Sequence, residues 1–141
     1  MRKLQRCIAL VAVIFLSAIG TAQAADVPYQ LSTHILDIAK GMPAQNVEVE
    51  LYQQDVQETW HVVGKGITDK NGRISTFLPL QEGKDNHGVY KLKFMTQPYF
   101  KAQQQTSFYP YIEVVFQIEG NNHYHVPITL SNYGYSTYRG S

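Results

Sequence analysis

Apolar and polar residues alternate along most of the chain, which is the period-two pattern of β-strands with one buried face. In residues 29–37, one face carries Tyr29, Leu31, Thr33 and Ile35, and the other carries Gln30, Ser32, His34 and Leu36. Similar patterns predict strands at 46–53, 59–69, 73–77, 88–95, 111–119 and 123–131. Residues 97–105 predict one helix of about two turns. Short strands at this spacing predict an all-β, antiparallel β-sandwich of seven to eight strands with one short helix.

Turn-forming residues separate the predicted strands. Residues 39–44 contain Gly and Pro, and the sequence DKNG at 69–72 predicts a tight turn because Asn and Gly tolerate positive φ. The sequence GNN at 120–122 precedes the last long strand. Pro127 in that strand has no amide proton, so we expect it at a sheet edge or a bulge.

The beginning of the chain has the residue order of a secretory signal peptide. Arg2, Lys3 and Arg6 precede an apolar run over residues 7–20, and small residues follow at 22–24. A membrane anchor is disfavoured because the run is too short to span about 30 Å of hydrocarbon comfortably. The sequence therefore predicts a cleaved leader and an exported chain.

Cleavage would divide the chain into a leader, residues 1–24, and one domain, residues 25–141. The single cysteine, Cys7, would leave with the leader, so the exported domain would have no disulfide. Loss of the leader's three basic residues leaves nine Lys and Arg against eleven Asp and Glu. This balance disfavours nucleic acid as a partner, and no basic amphipathic helix indicates a membrane surface.

The chain's histidines fall into two groups. Two lie in polar or loop surroundings and are predicted to be ordinary surface residues: His61 and His87. His34 lies on the less apolar face of the first strand, and His123 and His125 lie on the non-core face of the last long strand. Arg73 directly follows the tight turn. If the first and last strands share a sheet, these three imidazoles and the guanidinium line one patch.

Three interpretations of this patch stay open on residue pattern alone. It is an ordinary solvated sheet face, or the start of a metal site, since histidines at i and i+2 of a strand can share a metal. No nearby cysteine or carboxylate obviously completes such a site. The third interpretation is hydrolysis, with a neutral imidazole as general base, an arginine stabilising an oxyanion, and water as the nucleophile.

Several segments carry a resemblance to a known family: STHILD, GMPAQNVEV, TDKNGR, SFYPYIEVVF, HYHVPITLS and the terminal YGYSTYRGS. They resemble the transthyretin-related 5-hydroxyisourate hydrolases over nearly all of residues 25–141. The terminal Tyr-Arg-Gly-Ser is the specific hallmark of those hydrolases. The vertebrate hormone carrier transthyretin has the same fold but lacks that ending and the histidine–arginine set. The resemblance implies a transthyretin-like sandwich and, for an exported chain, the periplasmic bacterial type.

The resemblance also implies a reaction in urate degradation, part of purine metabolism. Water would attack the C6 carbonyl of 5-hydroxyisourate and give 2-oxo-4-hydroxy-4-carboxy-5-ureidoimidazoline. The resemblance implies that the catalytic residues are His34, Arg73, His125 and Ser141. The substrate-binding residues carried over are His34, Arg73, Tyr138, Arg139 and Gly140.

We expect no cofactor and no required metal, although zinc could bind adventitiously to His34, His123 and His125. The expected assembly is a homotetramer built as a dimer of dimers, with an ordered chain end forming a wall of the site. Neither nucleic acid nor, after cleavage, a membrane is an expected partner. The alternative is a transthyretin-like periplasmic protein that binds a ligand or zinc without catalysis.

Overall fold

A computed structural model describes residues 28–141, and the predicted leader lies outside these residues. The elements in chain order are β1 Tyr29–Asp37, β2 Met42–Pro43, β3 Glu48–Gln54, β4 Trp60–Ile67, β5 Arg73–Pro79, β6 Gly88–Phe94, α1 Thr96–Lys101, β7 Ile112–Ile118, β8 Tyr124–His125, β9 Ile128–Leu130 and β10 Tyr135–Thr137. No helix in the described part of the chain is long and apolar enough to cross a bilayer.

The strands form two sheets that enclose one apolar core. The first sheet has the order β10-β9-β1-β2, with β5 and β8 also paired to β1, and the second has the order β4-β3-β6-β7. Leu31, Ile35, Leu51, Leu92 and Ile118 are fully buried between them. These are apolar positions of the alternating pattern, so the predicted all-β sandwich with one short helix is confirmed.

Strand β1 is the centre of the first sheet and has neighbours in both directions. It runs antiparallel to β5 but parallel to β8 and β9, with Leu31 opposite Tyr124 and Ile35 opposite Ile128. Parallel neighbours require a long crossover connection. Here the whole second sheet lies within that connection, so the first and last parts of the described chain become neighbours.

The predicted strand 123–131 is divided into β8 and β9, which corrects one sequence prediction. The division falls at Val126 and Pro127, where proline cannot donate a ladder hydrogen bond. Thr33 Oγ1 instead donates to the Val126 carbonyl at 2.7 Å. The predicted helix is also shorter than expected, because it ends at Lys101 and a turn with Gln104 at a φ of 58° follows.

Gln30 fastens the turn before β8 to β1. It is fully buried, although it belongs to the more polar face of its strand. Its Nε2 donates to the carbonyls of Gly120 at 2.7 Å and Asn122 at 3.2 Å, and its Oε1 accepts from Asn86 Nδ2 at 3.1 Å. The direction in which the chain enters β8 is therefore fixed by β1.

Candidate active site

The turn before β5 delivers Arg73 to the neighbourhood of His34. Asp69 Oδ1 accepts the backbone N–H of Arg73 at 2.9 Å. Gly72 has a φ of +70°, and a Cβ there would lie 2.7 Å from the Ile35 carbonyl oxygen, so the turn requires glycine. In the antiparallel register of β1 and β5, Arg73 is then directly opposite His34.

Strand β8 brings His125 to the same face from the other side of β1. In the parallel register, His125 is opposite Ser32, which lies two residues before His34 and therefore shares its face. Both histidines are half-buried, and Arg73 is exposed. The structure thus brings His34, Arg73 and His125 together on the outer face of the first sheet.

The Ser32 hydroxyl connects two histidines of this patch. Its Oγ lies 2.8 Å from Nδ1 of His125 and 2.9 Å from Nε2 of His123. His123 Nδ1 in turn donates to the backbone carbonyl of Tyr29 at 3.0 Å. Sequence reasoning missed Ser32 as a site residue, although its place on the His34 face was a usable signal. His123 is exposed and reaches the patch through these hydrogen bonds.

The surroundings favour the neutral form of both half-buried imidazoles, His34 and His125. Burial lowers the pKa of His125 from its ordinary value of 6.5, and the positive charge of Arg73 lowers it further. Burial also lowers the pKa of His34, as does Arg73, while a backbone hydrogen bond to Asn71 works against the shift. Neutral imidazole is the form that accepts a proton, so either ring can serve as a general base.

Metal-ligating side chains do not converge in the described part of the chain. No group of three or more His, Cys, Asp or Glu side chains within residues 28–141 is placed to hold a metal ion. The facing nitrogens of His123 and His125 are both bonded to Ser32. Arg73 supplies the fixed positive charge of the patch.

The chain end returns to this patch through β10. Gly140 N donates to the His125 carbonyl at 2.8 Å. A Cβ at Gly140 would lie 2.5 Å from His125 Cδ2, so only glycine allows the backbone to pass so close to the imidazole. Gly140 and His125, which the family resemblance assigns to the site, are therefore in contact.

The other chain-end residues that the resemblance assigns to the site, Tyr138, Arg139 and Ser141, lie beside the patch and not within it. The Arg139 guanidinium lies 4.9 Å from the centre of the Tyr124 ring. Because Tyr124 directly precedes His125 in β8, its side chain points to the opposite face of the sheet. Tyr138 and Arg139 line a cavity of about 460 Å³ together with residues of β7. Ser141, the last residue, is exposed. The two surface histidines of the prediction, His61 and His87, are indeed exposed.

Residues 31–140 match the HIUase/Transthyretin family. The chain belongs to this family. Within this HIUase/Transthyretin family, the chain is similar to the 5-hydroxyisourate hydrolase of Salmonella dublin, with 46% identity over 112 residues, 79% of this chain and 80% of that protein.

Two solved structures share the fold of this family member. Transthyretin from Sparus aurata aligns with a TM-score of 0.71 and 34% identity, over 79% of this chain and 96% of that one. The 5-hydroxyisourate hydrolase of Klebsiella pneumoniae aligns with a TM-score of 0.66 and 34% identity, over 79% and 98%. The backbone alone therefore does not separate a hydrolase from a transthyretin, and the side chains of the patch must do so.

Proposed function

We propose that this protein hydrolyses 5-hydroxyisourate to 2-oxo-4-hydroxy-4-carboxy-5-ureidoimidazoline. The observation that carries the proposal is the meeting of His34, Arg73 and His125 on one sheet face, with Gly140 bonded to His125. The name of the Salmonella dublin relative supports the same activity. The reaction belongs to urate degradation.

The mechanism follows from the charges of the patch. One neutral imidazole, His34 or His125, takes a proton from water as the water oxygen bonds to C6 of the substrate. Arg73 offsets the negative charge that develops on the carbonyl oxygen. The imidazolium then returns the proton to the ring nitrogen as the C6–N bond breaks, which leaves an opened ring and a carboxylic acid that loses its proton to solvent. The other imidazole orients the substrate.

A second copy of the chain would enclose this open patch. Strands β10 and β7 lie at the edges of their sheets, where unpaired backbone groups invite pairing with another chain. Closed two-fold assembly is the common result, and a homotetramer of two dimers places one His34–His125 face against another. In that assembly Tyr138 contacts the substrate ring, Arg139 adds to the walls, and Ser141 contributes its hydroxyl and terminal carboxylate.

The proposed location is the periplasm. Its support is the residue order of the predicted leader at 1–24, which has basic, apolar and small residues in sequence. A transthyretin-like ligand carrier is the second candidate, and the similarity to Sparus aurata transthyretin favours it. The polar set of His34, Arg73 and His125 argues against it, because a carrier of apolar ligands has no need of these groups together.

The test of the activity follows the ultraviolet decay of freshly generated 5-hydroxyisourate with the parent protein, with His125→Asn and with His87→Asn. His87 is an exposed histidine outside the patch, so its replacement is the matched control. We expect the parent and the control to accelerate decay and His125→Asn to lose most of the acceleration. Spontaneous decay rates with the parent protein would refute the hydrolase and favour the carrier.

The interfacial site is tested separately through the chain end. We expect the untagged protein to be an active tetramer by light scattering, and a form truncated before Tyr138 to lose nearly all activity. A C-terminal tag should crowd the contact and lower activity as well. An active monomer, or a truncated form as active as the parent, would contradict a site built between copies.

A further inference from the structure

A continuous set of hydrogen bonds runs from the backbone of β1 to the patch. It begins at the Tyr29 carbonyl, which lies 3.0 Å from His123 Nδ1, and passes from His123 Nε2 to Ser32 Oγ over 2.9 Å. It ends with the 2.8 Å contact between Ser32 Oγ and His125 Nδ1. The three side chains come from both ends of the described chain and meet only because β1 and β8 are neighbours.

The direction of each bond follows from what each group can donate. A carbonyl oxygen only accepts, so His123 Nδ1 carries a proton, and neutral His123 then offers a lone pair at Nε2. The single hydroxyl proton of Ser32 is donated to that lone pair. Ser32 Oγ is left to accept, so His125 must carry its proton on Nδ1. The remaining nitrogen of His125, Nε2, has an unshared pair.

We propose that Ser32 and His123 are positioning residues that hold His125 in the tautomer with a free Nε2, which makes His125 the general base. This inference rests on the proposed hydrolysis and assigns the two histidine roles that the mechanism leaves open. His34 lies opposite Arg73 and takes the orienting role. When His125 accepts the water proton, its Nδ1–H bond to Ser32 strengthens, because a charged donor makes a stronger hydrogen bond.

The first experiment reads the tautomer directly and does not depend on turnover. Nitrogen-15 NMR of the histidine rings in the parent protein should show His125 protonated at Nδ1 and unprotonated at Nε2. In Ser32→Ala, the two tautomers of His125 should both be populated. Parent His125 with its proton on Nε2 would overturn the inference.

The second experiment measures kcat and KM for Ser32→Ala, Ser32→Thr and His123→Asn, with His87→Asn as the control. We expect Ser32→Ala and His123→Asn to lower kcat on the order of 10-fold or more with little change in KM, since orientation of the base is part of a 10²–10⁴-fold effect. Ser32→Thr keeps the hydroxyl and should retain most of kcat. Ser32→Ala with parental kcat would overturn the inference.

A failure of the proposed hydrolase function can be distinguished from a failure of the positioning role. A parent protein without activity on 5-hydroxyisourate refutes the proposed function, while its NMR spectra still decide the tautomer. An active parent whose Ser32 and His123 variants keep kcat refutes the positioning role alone. Thermal unfolding of each variant shows whether a loss of kcat reflects a loss of fold.

Discussion

The outer faces of the two sheets use charge in opposite ways. On the second sheet, Lys65 Nζ lies 2.7 Å from Glu50 Oε1, and this hydrogen bond holds the pKa of Glu50 below its ordinary value. On the first sheet, Arg73 lies among half-buried histidines, and no ion pair of the described residues includes it. The nearby Asp69 uses Oδ1 to accept backbone N–H groups of its own turn.

This difference separates a structural face from a candidate site. On both sheets the polar residues of the alternating pattern face outward, so the pattern alone would predict an ordinary solvated surface for each. On the second face, Lys65 pairs with Glu50 and Lys91 pairs with Glu113. The first face presents the exposed Arg73 guanidinium beside half-buried imidazoles, which suits a substrate with several carbonyl oxygens.

The largest expected effect is that of reversing the charge of Arg73, compared with a matched charge reversal on the second sheet. Arg73→Glu should lower turnover by about 10²–10³, the usual cost of losing an oxyanion partner, without loss of fold. The matched reversal Lys65→Glu should leave turnover close to the parent and change thermal stability only slightly, because a solvent-exposed ion pair contributes little to the free energy of unfolding. Assay and thermal unfolding of both variants check this. Near-normal turnover in folded Arg73→Glu would remove Arg73 from the site.

A smaller loss is expected when the chain end is displaced from His125. Gly140→Ala puts a Cβ 2.5 Å from the His125 ring and should lower kcat roughly 10- to 100-fold, since misplacement of about 1 Å can cost that much. Gly134→Ala is the control on the same segment, because its Cβ would meet only Ser131 Oγ at 3.9 Å. Equal kcat in both variants would show that the Gly140 contact is not part of the site.

The pH dependence should report the charge of Arg73. General-base catalysis needs neutral imidazole, and the pKa of His125 is lowered, so kcat/KM should fall on acidification only below pH 6.5. Lys65→Met should leave this fall of kcat/KM on acidification unchanged. Arg73→Met removes one cause of the lowering and should raise the pKa of His125, measured by NMR titration. An unchanged His125 titration in Arg73→Met would mean that the guanidinium does not act on the ring.

No effect is expected from metal removal. The motivation is that Arg73 already supplies positive charge and that no group of three or more metal-ligating side chains lies together within residues 28–141. Chelator treatment followed by assay measures this. Activity that disappears with chelator and returns with zinc would replace the water-plus-imidazole mechanism with metal-activated hydroxide.

Much of the patch is a local property of the sequence. Alternation in β1 assigns Ser32 and His34 to one face, and the glycine-containing turn at 69–72 explains why Arg73 begins a strand. Both features depend on neighbouring residues only. The burial of apolar positions such as Leu31 follows from the same alternation, so the sandwich was predictable.

The rest depends on contacts distant in sequence. Alternation does not say which strands are neighbours, so the parallel pairing of β1 with β8 and the Ser32–His125 hydrogen bond could not be predicted. The burial of Gln30 has the same cause, since its partners belong to the turn at 120–122. The division of the last long strand was predictable only as an irregularity at Pro127.

The parallel pairing of β1 with β8 and β9 also sets the order in which the fold can be completed during synthesis. Partners such as Ser32 and His125 are separated by 93 positions. At about 5–20 residues per second, the ribosome needs roughly 5–20 s to make β8 after β1. Until then β1 has no partner on that side, and the histidine patch does not exist. A nascent chain of this protein can therefore pair β1 with β5 early, but its first sheet and its histidine patch stay incomplete until β8 has been made.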